Sequence, residues 1–180
     1  IKEGGETKKM AKRFGTFVTA DQVLDEVPRD VFTYFMLSKG SETHLDFDLQ
    51  LAKDTSEKNP IYYLQYAHAR IQSLLQVAEE RGVKADERVS GSMTDYEKRL
   101  LYMIDRYGQV ITEAAETFRT HLIPNYLHTL ATRFHYLYAH QRILTDNPDE
   151  TAKGLLLARK TGEVLKDGLA LLNIVAMEKM

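Results

Sequence analysis

Tyr63, Tyr66 and Arg70 fall at i, i+3 and i+7, a spacing that lines them up along one side of a helix. Two phenol rings and a guanidinium in a row make a flat, polar-tipped surface on which an unstacked nucleic-acid base could rest. The same pattern is also the common mark of a core face, and spacing alone favours packing. His121, His128 and His135 recur every seven residues and raise the question of a metal. Heptad spacing on a helix puts such side chains about 10 Å apart, too far to share one ion. The chain also has no Glu-x-x-His pair and no cysteine, so these histidines read as flanking an apolar face beside solvent, with no metal expected. His44 and His68 read as structural, although His68 is next to the stripe. Asp46 and Asp48 resemble a paired-carboxylate acid/base set, yet capping a helix is the simpler role. The basic run Lys8 to Arg13, taken bare, is a solvated loop.

The elements that must position these residues are helices. Asn59-Pro60 is a helix start, because an Asn side chain caps free N–H groups and Pro suits the first helical position. Leu64, Ala67, Ile71, Leu74, Leu75 and Ala78 then give one apolar face, ending near Arg81 with Gly82 as a left-handed cap. Upstream, Thr19 and Gln22 form a capping box for a short helix that Pro28 interrupts, and a second helix covers Arg29 to Leu37. THLDFDL alternates polar and apolar residues before a helix from about Asp48 to Ser56. Residues Val83 to Met93 read as a polar linker. Thr94 and Glu97 box the next helix, which ends near Tyr107-Gly108. Ile111, Ala114, Ala115 and Phe118 predict the apolar face of another, and Leu127, Leu130, Ala131, Phe134 and Leu137 that of a helix after Pro124. Asn147-Pro148 opens the last, which buries Leu155, Leu165, Leu169 and Leu172, with Gly154, Gly162 and Gly168 permitting close neighbours. The expected fold class is all-α, a helical bundle preceded by a short mixed segment.

Composition narrows the function classes. A chain of 180 residues, 43% hydrophobic, can bury a real core. Zero cysteines remove disulfides, thiolate metal sites and cysteine nucleophiles. No apolar run is long enough to span a bilayer and the first residues are not signal-like, so a cytoplasmic location is expected. A formal charge of −2 gives no global basic footprint, and any RNA contact must be local. The opening IKEGGETKKMAKRFG reads as a loop or hairpin begun in mid-structure, so the chain is expected to be cut from a longer protein.

The stretch NPIYYLQYAHARI, preceded by THLDFDLQLAK, closely resembles the start of the anticodon-binding domain of the arginyl-tRNA synthetase family, among the class I aminoacyl-tRNA synthetases. Lys9-Met10-Ala11-Lys12-Arg13 followed by GTFVTADQVLDEV is similar to that family's ATP-site signature loop and its continuation, with Ala11 where the family commonly has Ser. The closing AMEKM is similar to the family's usual ending. The resemblance implies two parts, residues 1–55 as the end of a catalytic domain with its loop and connector, and residues 56–180 as the helical anticodon-binding domain. It implies catalytic Lys9 and Lys12, with Lys9, Met10 and Lys12 on ATP, where compact ammonium charges follow phosphate charge that grows in the transition state. It also implies tRNA contacts at Tyr63, Tyr66, Arg70, Tyr138, Arg142 and Met180. The helical phase of Tyr138, near Leu127 and Ala131, suits a core tyrosine equally. The implied partners are tRNA(Arg), with arginine and ATP, carried with Mg, in the complete enzyme. No membrane or DNA partner is expected. The His-x-Gly-His signature and any strand-helix alternation are missing, so the isolated chain is expected to bind no cofactor and to be inactive. A rival reading is a noncatalytic helical protein-interaction domain, marked by a large exposed apolar patch and no RNA affinity.

Overall fold

The computed structural model describes residues 2–3, 6–7, 19–83 and 91–180. At the front, β1 (Lys2–Glu3) and β2 (Glu6–Thr7) pair antiparallel, Lys2 opposite Thr7. The helices follow in order: α1 (Ala20–Leu24), α2 (Arg29–Leu37), α3 (Leu49–Lys53), α4 (Pro60–Glu80), α5 (Asp95–Asp105), α6 (Tyr107–Thr117), α7 (Leu122–His140) and α8 (Pro148–Leu171).

Local chemistry sets most of the helix starts. Thr19 accepts from the Gln22 amide while the Gln22 side chain accepts from the Thr19 amide, and Thr94 and Glu97 repeat that box at α5. Asp48 accepts from Leu51 N at 3.0 Å, so it caps α3. That helix is shorter than expected because Asp54 leaves it in extended backbone and turns its carboxylate onto Ser56 N at 2.7 Å. Asn59 does more than cap α4. It is fully buried, accepts from Ile61 N, and donates to the carbonyls of Ala52 and Asp54, which fastens the end of α3 to the start of α4. Gly82, at φ 71, ends that helix in the left-handed region.

α4, α7 and α8 pack on one another, with α5 laid across α7 and α8. Leu64 and Ile71 of α4, Leu127, Leu130 and Phe134 of α7, and Leu165 and Leu169 of α8 have no exposed surface. Each such side chain contributes roughly 1.5–3 kcal/mol by leaving water. The α7–α8 approach depends on Gly168, since a Cβ there would stand 2.6 Å from Leu127 Cδ2. Val31, Phe35 and Phe47 belong to the same core, so packing runs continuously across the expected boundary between residues 55 and 56. Phe47 sits against Phe32 and Phe35, at ring distances of 5.9 and 5.5 Å, and THLDFDL therefore serves as a plug.

The expected apolar face of α6 is rotated. Val110 and Ala114 are buried, whereas Phe118 is 89% exposed. The cause is local: the helix stops at Thr117 and Phe118 takes a left-handed conformation, φ 56, which carries it out of register. α7 starts two residues before Pro124, which fits because proline's missing N–H costs nothing within the first turn of a helix.

A buried ion pair joins three elements. Glu97 of α5 and Lys153 of α8 meet at 3.2 Å, and Gln141 past α7 donates to Glu97 at 2.8 Å. The Thr94 amide and the Ser92 carbonyl take up further bonding capacity of the pair. Burial pushes the Glu97 carboxyl upward, but the bonds from Thr94, Gln141 and Lys153 outweigh it and hold the group below its ordinary range.

Candidate nucleic-acid interface

On α4, Tyr63, Tyr66 and Arg70 lie half-buried along one line, and α7 supplies the facing row. The Tyr63 ring sits 5.2 Å from His128 and 4.6 Å from His135, and Tyr66 stacks on His135 at 5.8 Å. Arg70 is held from three sides. Its guanidinium carbon is 4.4 Å from the centre of Tyr66 and 4.8 Å from that of Tyr138, within cation–π reach of both. Nη2 donates to the Tyr66 hydroxyl and Nη1 donates to His135 Nδ1 at 3.1 Å. A guanidinium only donates, so Nδ1 accepts and the imidazole proton belongs on Nε2. Burial, and then the Arg70 charge, lower the His135 pKa, against smaller upward effects from the Tyr63 carbonyl and Glu57. Burial lowers His128 as well. The imidazoles therefore act here as neutral stacking planes, and arginine carries the positive charge.

Tyr138 is 40% exposed, with its ring on Phe134 and Arg70. It lines the groove and does not join the core. Arg142 lies past α7: that helix ends at His140, Gln141 is extended, and Arg142 stands on the outgoing chain. Tyr138, Gln141 and Arg142 border a hollow of about 250 Å³ with Leu74 of α4 and Arg81 at its C-terminal cap. Among the described residues its lining contains no carboxylate, and the Arg81 and Arg142 guanidiniums make no ion pair. Arg81 shares the Tyr63 line of α4, eighteen residues on, five full turns at 3.6 residues per turn. Sequence reasoning missed Arg81, His128 and His135 as parts of the groove. The seven-residue spacing of the histidines, matching that from Tyr63 to Arg70, was the available signal.

Met180 is not in this groove. Its segment, residues 173–180, leaves α8 and runs along α4, bonded to Gln65 and His68. With helical residues turning about 100° each, those side chains lie on the side of α4 roughly opposite Tyr63. The segment's last residues border a hollow lined by Gln72, Ser73 and Gln76, with Glu178 and Lys179 beside them. Leu75 and Glu79 complete that lining, so the segment stays mainly on the side of α4 that carries Gln65 and His68.

His68 is buried and structural, and Asp48 is a cap. His44 pairs with Asp46 at 3.3 Å. Lys9, Met10 and Lys12, with Ala11, lie outside the described residues. Among the described residues no three His, Cys, Asp or Glu side chains gather as metal ligands.

Residues 64–180 match the family model described as the DALR anticodon binding domain. The chain is 41% identical over 181 residues to the arginine–tRNA ligase of Syntrophotalea carbinolica, covering 98% of this chain and 33% of the relative. With the arginine–tRNA ligase of Thermotoga maritima identity is 40% over 183 residues, covering 100% of this chain and 34% of the other. The chain thus spans about a third of the length of the curated relatives it matches. Among solved structures, the arginyl-tRNA synthetase of Thermus thermophilus superposes with a TM-score of 0.70 at 29% identity, over 84% of this chain and 26% of that one.

Proposed function

Because the chain belongs to the DALR anticodon-binding domain family, we propose that it is the tRNA-recognising part of an arginine–tRNA ligase, with the groove between α4 and α7 as its anticodon surface. The observation that carries this reading is Arg70, whose guanidinium carbon lies 4.4 Å from the Tyr66 ring centre and 4.8 Å from that of Tyr138. An unstacked base meets aromatic rings held in place by a preordered guanidinium, and each such stacking contributes roughly 1–3 kcal/mol. Arginine suits this better than lysine, since its planar, weakly hydrated head stacks and donates along fixed directions. Arg81 and Arg142 at the end of the groove offer charge to the phosphates that join the bases. A local group of arginines in this strip is compatible with a net charge of −2.

In the complete enzyme, ATP with Mg activates arginine and the product is transferred to tRNA(Arg). Residues 1–55 are the end of the catalytic domain, with Lys9, Met10 and Lys12 on the ATP phosphates, and residues 56–180 are the anticodon-binding domain. The chain alone supplies recognition and one loop, so it forms no aminoacyl-adenylate. The proposed setting is the cytoplasm, and no described helix is long and apolar enough to cross a membrane. Binding of the chain to tRNA bearing an arginine anticodon, against the same tRNA with an altered anticodon, tests the reading. Preference for the arginine anticodon by about tenfold or more is expected, as for the loss of one well-made base contact. Equal affinity for both would refute anticodon recognition, and no binding to either would refute the RNA reading.

A further inference from the structure

Gln141 is the first residue past α7, and both ends of its side-chain amide are taken. Nε2 donates to Glu97 Oε1 at 2.8 Å, and Oε1 accepts from the Thr94 hydroxyl, also at 2.8 Å. Glu97 only accepts, so these partners fix which way the amide faces. The Thr94 hydroxyl has one proton, which goes to Gln141, while its oxygen accepts from Glu97 N to cap α5. Glu97 has no exposed surface, and its other oxygen meets the Thr94 amide and the Lys153 ammonium. The capping box that starts α5 therefore also ties down the chain leaving α7.

The backbone and the next residues complete the hold. Gln141 N donates to the Leu137 carbonyl at 2.8 Å, which closes the helix, and the residue itself is extended. Ile143 is 4% exposed and packs against Gly154 of α8, where a Cβ would stand 2.9 Å from the Ile143 Cγ2. Gln141 is thus held inward by bonds and Ile143 by packing, and Arg142 between them is exposed. Successive side chains of extended chain alternate, so holding Gln141 inward turns Arg142 the other way. On that side it borders the 250 Å³ hollow with Arg81 and Tyr138. An arginine on a loose chain must be ordered when it binds, at a cost in affinity, and a backbone fixed beforehand removes part of that cost.

We propose that Gln141 is a positioning residue for the RNA surface: held by Glu97 and Thr94, it sets the backbone from which Arg142 reaches phosphate beside Arg81. The inference rests on the RNA reading above. It gives the polar cluster of α5 and α8 a part in recognition, although Thr94, Glu97 and Lys153 do not line that hollow.

The test measures tRNA affinity across a salt series on the 180-residue chain. Gln141→Met keeps the length of the side chain and removes its polar ends, and Arg142→Gln removes the charge. For tRNA with the arginine anticodon, each should lower affinity about tenfold, the loss of one charge-assisted contact. Each should also shrink the slope of log K against log salt by about 0.7–0.9, which a change in packing alone would leave in place. The double variant should bind no more weakly than Arg142→Gln, because Gln141 acts through Arg142. Thr94→Asp keeps a cap for α5 while taking away the proton that Gln141 accepts, and it should copy Gln141→Met. If Gln141→Met fails to fold, Thr94→Asp carries the same comparison. Unaltered affinity and slope in whichever of these variants folds would overturn the inference, as would fully additive losses. So would Arg142→Gln binding as the unaltered chain does with anticodon preference intact, a result that leaves the RNA reading standing. Absence of tRNA binding by the unaltered chain would instead refute the RNA reading, and the inference with it.

Discussion

Arg70 of α4 donates a 3.1 Å hydrogen bond to His135 of α7, two basic side chains joined because one of them is neutral. Burial and the neighbouring guanidinium hold the His135 pKa below the ordinary histidine value, so the folded chain favours the unprotonated ring. The sign follows: this contribution to stability is present above the unfolded histidine pKa and is lost as pH falls through the lower folded one. Protonation would remove the acceptor at Nδ1 and set two cations side by side. An NMR titration of His135 should give a midpoint under about 6.5, rising toward that value in Arg70→Ala. A midpoint at or above it in the unaltered chain would contradict the assigned contact.

Tyr66 and Arg81 should fail differently. Tyr66→Ala removes a stacking face, with an expected loss of about 1–3 kcal/mol in tRNA binding at any salt concentration. Arg81→Gln removes the charge proposed to face phosphate, so the slope of log K against log salt should shrink by about 0.7–0.9, with anticodon preference retained. Because Arg81 is exposed at the end of α4, its thermal midpoint should stay put. An unchanged salt slope would remove Arg81 from the RNA surface. Unchanged affinity with lowered stability in Tyr66→Ala would return that tyrosine to a packing role.

The Glu97–Lys153 pair gives a stability prediction independent of RNA. Lys153→Met leaves a buried carboxylate without its cation and should cost about 3–5 kcal/mol, read from denaturant unfolding. Adding Glu97→Gln should restore most of that loss. Since the folded Glu97 pKa is depressed, its contribution is present above the ordinary glutamate value and disappears as pH falls through the lower folded one. Equal stability of Lys153→Met and the unaltered chain would mean the pair is dispensable.

What the sequence disclosed and what it concealed divide by range of interaction. Thr19 with Gln22, Thr94 with Glu97, Asn59-Pro60 and Asn147-Pro148 announce helix starts because capping acts within three residues. The α7 face from Leu127 to Leu137 was legible because burial imposes the helical period on it. The face of α6 was misread once Phe118 left the helix. Tyr63, Tyr66 and Arg70 were visible as a stripe, but their partners were not. His135 is 65 residues from Arg70, and Met177 is 109 from His68, distances over which periodicity says nothing.

In the complete ligase proposed here, the ATP loop and the anticodon groove should separate kinetically. With Lys12 assigned to the ATP phosphates as proposed, Lys12→Ala should slow adenylate formation and leave tRNA affinity nearly intact. Arg70→Ala should do the reverse, raising KM for tRNA while ATP–pyrophosphate exchange stays near normal. If the enzyme requires bound tRNA for activation, exchange in Arg70→Ala should fall at limiting tRNA and recover at saturation, which a defect in the chemical step would not do. Pre-steady-state adenylate formation and tRNA-dependent exchange, measured side by side, distinguish the two. Adenylate formation untouched by Lys12→Ala would remove the loop from catalysis, and Ala11 would then mark a basic run that has lost its catalytic part.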